Sequence, residues 1–187
     1  MKTFFFGRFR DLLAAAIFSL LPLTAAHAKS DADIDAKVDA ALARFNQDVQ
    51  GADDYLKAAK GVLILPAVKK AGLVVGGQWG DGALRVDKKT VAYYRMDAAS
   101  VGFQAGYQEA DFVFLFLTET ALRQFRAGKG WTAGADAGIT LVDVGPGVNL
   151  DTLKGKDAVI GFVFGKQGLM GGWSLKGAKF TEQAVGR

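Results

Sequence analysis

Catalytic chemistry draws mainly on histidine, cysteine, carboxylates, lysine and tyrosine, and this sequence narrows that choice sharply. The chain has one histidine, His27, and no cysteine. His27 follows a short apolar N-terminal stretch of the kind that is removed on export. The rest of the chain therefore has no imidazole and no thiolate. Serine triads, thiol chemistry, disulfides and zinc or copper sites that use these ligands are excluded there.

Carboxylates are the best remaining candidates for acid–base chemistry. Asp136 and Asp143 fall in one expected strand, but their odd separation directs them to opposite faces. Asp81, Asp87 and Asp151 occur in turn-like sequence, where aspartate bonds to nearby backbone, and the spacing of a calcium-binding EF-hand is missing. We therefore expect no enzyme, no catalytic residue, no metal site and no cofactor. A carboxylate-dependent hydrolase remains an alternative.

The 24 glycines invite a search for phosphate-binding loops, which gives a negative result. No G-x-G-x-x-G occurs, and the nearest approach to a P-loop, at 172–177, is followed by Ala178 instead of lysine. Ser100 lacks the first glycine of a nucleophile elbow. Neither a nucleotide nor a nucleic acid is an expected partner. Gly102 and Gly106 share one strand face, as do Gly134 and Gly138, and these rows could either allow close packing or floor a groove.

Two groups of basic residues could bind an anion. The first is Lys69 with Lys70, and the second is Arg123, Arg126 and Lys129. Lysine offers a phosphate a flexible point charge, and arginine offers a bidentate fork. Residues 61–187 carry fifteen basic and eleven acidic side chains, a net charge of +4, whereas 30–60 carries four and seven, a net of −3. A basic body favours anionic partners, although ordinary solvated charge is the alternative.

The N-terminus has the features of a cleavable signal peptide. Lys2, Arg8 and Arg10 precede an apolar run at 12–21, and Ala26-His27-Ala28 supplies a small-residue cleavage site. The run is shorter than the roughly 20 residues that a spanning helix needs. We expect residues 1–28 to be removed, which would release a soluble periplasmic or secreted product.

The remaining chain has the length of one domain. Residues 29–60 form its helical segment, because apolar side chains recur there every three or four residues. Residues 61–187 form a β-rich body with period-two alternation and a nearly continuous apolar strand at 112–117. Gly51 is expected to interrupt the helical segment. A short helix is expected at 119–127 with Thr118 as its N-cap, and closing strands are expected at 158–165 and 169–175. The predicted fold class is α+β: an N-terminal helix on a large twisted antiparallel sheet, barrel-like if it closes, with one short additional helix.

The opening of the body also carries a family resemblance. The run at 61–82, GVLILPAVKKAGLVVGGQWGDG, resembles the start of the SYLF lipid-binding domain. Phe125 near the end of the short helix and the glycine-rich run at 169–179 fit the same pattern, so the resemblance covers about 60–180. It suggests a bacterial secreted member, related to the yeast actin-binding SYLF proteins.

The resemblance implies a non-enzymatic, phospholipid- or membrane-binding protein of the cell envelope. Its expected partner is an anionic phospholipid or membrane surface, and the expected headgroup-binding residues are Lys69, Lys70, Arg123, Arg126 and Lys129. A structural or protein-interaction module of the periplasm is the alternative. The lipid species, the oligomeric state and any protein partner are left open.

Overall fold

A computed structural model describes residues 30–72, 75–101, 106–128, 131–133, 139–144, 157–168 and 172–184. The expected signal peptide and Lys129 lie outside these residues. The helices are α1 (Asp31–Asp48), α2 (Ala52–Ala58) and α3 (Glu119–Ala127). The strands are β1 (Gly61–Gly72), β2 (Val75–Val86), β3 (Lys89–Val101), β4 (Gly106–Phe116), β5 (Trp131–Thr132), β6 (Thr140–Asp143), β7 (Val159–Gly168) and β8 (Lys179–Gln183).

The strands form one curled, half-barrel sheet in the order β5-β8-β3-β2-β1-β4-β7-β6. All pairs in the described residues are antiparallel except β6 with β7. The predicted fold class is confirmed: a helix packs on a large, mostly antiparallel sheet. Two ends of this sheet matter below. At the Gly72 end, β1, β3 and β7 finish while β2 and β4 begin; the Gly61 end is opposite.

α1 covers one face of the sheet, which we call the outer face. Ser30 caps its start, since the hydroxyl accepts a hydrogen bond from the Asp33 amide at 3.2 Å. Its apolar stripe is buried against the sheet, where Phe45 meets the ring of Phe162 edge to face at 5.2 Å. Gly51 then turns the chain with φ 78° into α2, as its position predicts.

The acidic side chains of α1 explain part of the charge division in the sequence. Arg85 of β2 contacts Asp39 at 2.7 Å and Asp35 at 3.8 Å. Asp35 also accepts hydrogen bonds from the hydroxyls of Thr90, at 2.8 Å, and Tyr93, at 2.9 Å. These acids therefore attach the helix to the basic body, in addition to solvating its surface.

The opposite, inner face holds the second and larger hydrophobic cluster. α3 closes it at the Gly61 end: a Cβ built on Gly61 would lie 2.6 Å from the terminal methyl of Leu122, so a larger residue there would require the leucine side chain to shift. Phe125 stacks among aromatic side chains, with ring centroids 4.6 Å from Tyr94 and 4.8 Å from Phe116.

A β-bulge in β1 sets which of its side chains face inward. Leu65 pairs with Phe112 and Val68 pairs with Ala110, so two residues of β1 oppose the single Asp111. Asp111 holds the bulge, because its Oδ1 accepts a hydrogen bond from the Ala67 amide at 2.9 Å.

Two local predictions are wrong. Asp81-Gly82 is expected to turn the chain, yet both residues lie inside β2. A Cβ on Gly82 would sit 1.9 Å from the carbonyl oxygen of Ile64, so this glycine serves close strand contact instead. A strand is also expected at 169–175, but its described part, 172–175, has no regular structure, and the closing strand is β8.

Candidate functional site

The two predicted basic groups lie at opposite ends of the sheet. Arg123 and Arg126 are exposed on α3, which covers the Gly61 end. Lys69 and Lys70 lie near the Gly72 end of β1. Lys70 lies nine positions after Gly61 in β1, and at about 3.3 Å per position that is somewhat under 30 Å. The described members of the two groups therefore cannot share one headgroup.

The two neighbouring lysines are themselves separated by the sheet. Lys69 points to the outer face and is partly exposed, whereas Lys70 points inward and is only 2% exposed. The Lys70 ammonium donates a hydrogen bond to the Gly172 carbonyl oxygen at 2.6 Å and lies 5.6 Å from the ring centre of Trp173. Burial lowers the pKa of Lys70, since it disfavours the charged form.

Lys70 is the centre of a buried polar row that crosses three strands. In register, Lys70 pairs with Gln78 on β2 and with Gln108 on β4. Both glutamines face inward and are 3% and 4% exposed. We call Lys70, Gln78 and Gln108 the inner polar row. It interrupts an otherwise apolar interior just before the Gly72 end.

The row contains hydrogen-bonding capacity that the fold does not use. Oε1 of Gln78 and Oε1 of Gln108 are buried and have no hydrogen-bond partner in the described part of the chain. The same holds for Nε1 of Trp173, whose indole lies beside Lys70. Buried polar atoms normally have hydrogen-bond partners, so three unpartnered atoms on residues next to one buried lysine make this row the candidate site.

The outer face of the Gly72 end has a different character. Val75 is 69% exposed and Tyr107 is 49% exposed; with Val91 they are the exposed large hydrophobic residues of the described chain. Lys69 pairs directly with Glu109 across the β1–β4 ladder. It lies two positions before Ala71, which is the register partner of Tyr107. We call Val75, Tyr107 and Lys69 the outer patch.

Sequence reasoning finds the lysines but misses the glutamines. In the sequence, Gln78 is one member of a glycine-dense segment, and Gln108 occupies a polar position next to an alternating strand. Once the β1 bulge is known, register places both beside Lys70. A single glutamine between glycines in an apolar strand is the one local signal that could have indicated a buried polar position.

Other candidate chemistry is not assembled in the described residues. Asp143 is exposed and pairs with Lys166, and Asp136 lies outside the described ranges. Within those ranges, no three carboxylate or histidine side chains meet in a way that could hold a metal ion. None of the helices described has both the length and the hydropathy that crossing a membrane requires.

Comparison with known proteins agrees with the resemblance that the opening of the body carries. Residues 97–185 match the family model described as "Ysc84: Las17-binding protein actin regulator". This match supports the Ysc84/SYLF family for the chain. The matched residues include β4, α3 and β7, and with them Gln108 and Trp173 of the site.

Two yeast proteins are similar over a longer part of the chain. "LAS seventeen-binding protein 3" of Saccharomyces cerevisiae is 29% identical over 167 residues, which are 83% of this chain and 36% of that protein. "Protein YSC84" of the same organism is 29% identical over 167 residues, or 83% of this chain and 35% of that protein. The chain thus spans about a third of the length of these relatives.

Proposed function

We propose that this protein is a non-enzymatic, phospholipid-binding member of the Ysc84/SYLF family, and that its outer patch rests on an anionic membrane surface. The observation that carries the proposal is the pair of exposed apolar side chains, Val75 and Tyr107, at one end of the sheet. Exposed apolar side chains grouped beside a basic residue suit a membrane surface, where tyrosine places its ring at the headgroup level.

The electrostatic contribution at this patch is modest. Lys69 faces Glu109 across the β1–β4 ladder, and Glu109 also accepts a hydrogen bond from the Tyr107 hydroxyl. The glutamate partly offsets the attraction of the lysine for anionic lipid. Each basic residue near an anionic bilayer contributes about 1 kcal/mol, so apolar insertion should supply most of the binding free energy.

The experiment is vesicle co-sedimentation with anionic and neutral vesicles. Val75→Asn with Tyr107→Asn should weaken binding by about 2–3 kcal/mol, or roughly 30-fold or more, because two apolar side chains no longer enter the interface. Val91→Asn is the matched control, since Val91 is also 42% exposed but lies near the Gly61 end. Equal binding of the double variant and the control would refute the patch.

The second basic surface is tested in the same assay. Arg123→Gln with Arg126→Gln removes two exposed charges at the Gly61 end. If the membrane meets the Gly72 end, this variant should lose less than the outer-patch variant, and its loss should vanish as salt rises. A larger loss than that of the outer-patch variant would reassign the membrane contact to α3.

We also propose that the protein acts in the bacterial cell envelope after removal of residues 1–28. The support is the basic, apolar and Ala26-His27-Ala28 pattern at the N-terminus. N-terminal sequencing of the fractionated protein should find Lys29 first. Recovery of Met1 in the membrane fraction would instead indicate an uncleaved anchor.

A protein-interaction role is the second candidate, because the matched family model is described as a Las17-binding actin regulator. The vesicle assay separates the two candidates: a purely protein-binding module would not bind vesicles in its wild-type form.

A further inference from the structure

We propose that the inner polar row is a binding site for a small hydroxylated anion, such as a phosphate ester that carries free hydroxyls. The inference deepens the proposed function by naming a ligand class and a second, internal site, and it can be tested separately from the membrane contact. The observation behind it is that three buried polar atoms without partners in the described part of the chain belong to the residues next to one buried lysine: its two register partners and the tryptophan beside its ammonium.

The geometry of the row defines the size of the ligand. Gln78, Lys70 and Gln108 are neighbours on adjacent strands, in register. Strands lie about 4.8 Å apart, so the row is about 10 Å wide. A phosphate with an attached three-carbon polyol has this dimension, whereas a bare phosphate would reach the ammonium and at most one glutamine.

The side chains of the inner polar row suit a ligand that carries both a negative charge and hydroxyl groups. The Lys70 ammonium favours an anionic oxygen, and the indole N–H of Trp173 donates to one as well. The unpartnered oxygens of Gln78 and Gln108 require donors, which hydroxyl groups supply. A glutamine amide can also turn to present its NH₂ group, so each end of the row can match either a hydroxyl or an anionic oxygen.

Glycines border the row toward the Gly72 end. The next inward-facing position beyond the row is Gly76 on β2, Gly72 on β1 and Gly106 on β4, and these three are paired in register. In the described part of these three strands, the ligand would therefore meet no side chain at this position of the inner face. Of the glycine rows singled out in the sequence, only Gly106 lies within the described residues, so the choice between close packing and a groove stays open for those rows.

Binding of the anion would also replace one hydrogen bond that is present in the structure. The Lys70 ammonium bonds to the Gly172 carbonyl, and Gly172 and the neighbouring Trp173 lie in an irregular segment with Gly172 exposed and at φ 67°. An anionic oxygen is a stronger partner for an ammonium than a neutral carbonyl, because two opposite full charges attract each other more strongly than a charge and a dipole.

The test variant is Gln78→Met with Gln108→Met, which keeps side-chain length and removes both orphaned oxygens. Isothermal titration of the wild-type chain with glycerol 1-phosphate should show binding, and the double variant should lose at least tenfold in affinity. Inorganic phosphate should bind the wild type more weakly, and glycerol should not bind detectably. Gln124→Met, on the exposed face of α3, is the control and should bind like wild type.

The unfolding transition gives an independent readout. Because the two oxygens are buried without partners in the described residues, their replacement by apolar groups should leave the urea midpoint unchanged or raise it. If the glutamines serve only to hold a buried water, the double variant should be destabilised and no probe should bind the wild type. That outcome, or unchanged affinity in the folded double variant, would overturn the proposal.

Vesicle co-sedimentation of the same variants distinguishes the two possible sources of the anion, a free phosphate ester and a lipid headgroup. Binding of glycerol 1-phosphate with no effect of the double variant on vesicles containing phosphatidylglycerol would assign the row to a free phosphate ester. A loss in both assays would assign it to a lipid headgroup. Failure of wild-type vesicle binding, with glycerol 1-phosphate still bound, would reject the proposed membrane function and leave the row standing.

Discussion

The bulge in β1 depends on one buried carboxylate, and Asp111→Asn tests how much stability that group contributes. Oδ2 of Asp111 accepts from Nε of Arg44 at 2.8 Å and lies 2.7 Å from its Nη2, while Oδ1 accepts from the Ala67 amide. The side chain of Asp111 is 6% exposed and that of Arg44 is 45% exposed. The carboxylate raises the pKa of Arg44, mainly through this hydrogen bond.

The magnitude follows from which bonds an asparagine can keep. If the side-chain oxygen of the asparagine accepts from the Ala67 amide, its NH₂ group faces the Arg44 guanidinium, and two hydrogen-bond donors then oppose each other. If the amide turns, the Ala67 amide loses its acceptor. Losing a charged hydrogen bond costs about 1.5–3 kcal/mol, while a half-exposed Arg44 can rehydrate, so we expect a loss of about 2–3 kcal/mol.

Urea unfolding followed by circular dichroism measures this loss, and an exposed pair supplies the control. Asp97 accepts from Nε of Arg95 at 2.9 Å, with side chains 54% and 43% exposed. Asp97→Asn should cost no more than about 0.5 kcal/mol, because exposed ion pairs contribute little. If Asp111→Asn is no more harmful than Asp97→Asn, the anchoring role assigned to Asp111 is refuted.

Three further outcomes are expected from urea unfolding. Gly82→Ala should destabilise the fold by more than about 3 kcal/mol, because the new Cβ would lie 1.9 Å from a carbonyl oxygen. Gly77→Ala is the control and should be tolerated, because the nearest atom to its Cβ would be 3.8 Å away. Asp39→Asn should cost about 1 kcal/mol, because Arg85 loses a contact at 2.7 Å that attaches α1; an unchanged midpoint would contradict this. Burial raises the pKa of Tyr94 to about 12. The free energy of unfolding should therefore decrease as the pH rises from 10 toward 12, by about 2 kcal/mol at pH 11.5. The variant Tyr94→Phe should show a smaller decrease over the same pH range.

Much of the architecture is accessible from local sequence. The helical period within 29–60 predicts α1, and the continuous apolar run at 112–117 predicts a central strand, because burial on both faces removes the alternation of polar residues. Thr118 is expected to cap α3, and its hydroxyl does accept from the Ala121 amide at 3.2 Å. Each of these features depends on residues that are close together in the chain.

The misassigned elements depend on distant contacts. Gly82 resembles a turn residue because Asp-Gly is a strong local turn signal. Its actual environment is set by the backbone of Ile64, eighteen positions earlier. The strand expected at 169–175 likewise fails in its described part, where Trp173 turns inward to contact Phe112 at 5.2 Å instead of continuing a ladder.

The position of Lys70 shows how one long-range contact decides a site. In a regular strand, Lys69 would share the inner face with Leu63 and Leu65, and Lys70 would face solvent. The bulge adds one residue, so every side chain after it changes face, and Lys70 becomes the buried lysine. The bulge holds Ala67 at φ 49°, a left-handed conformation that costs a non-glycine residue about 1–2 kcal/mol. The bond from Asp111 offsets this cost, and Asp111 is 44 positions from Ala67. The adjacent lysines of the sequence therefore become two separate groups, one on the outer patch and one in the inner polar row, through a carboxylate that no local pattern connects to them.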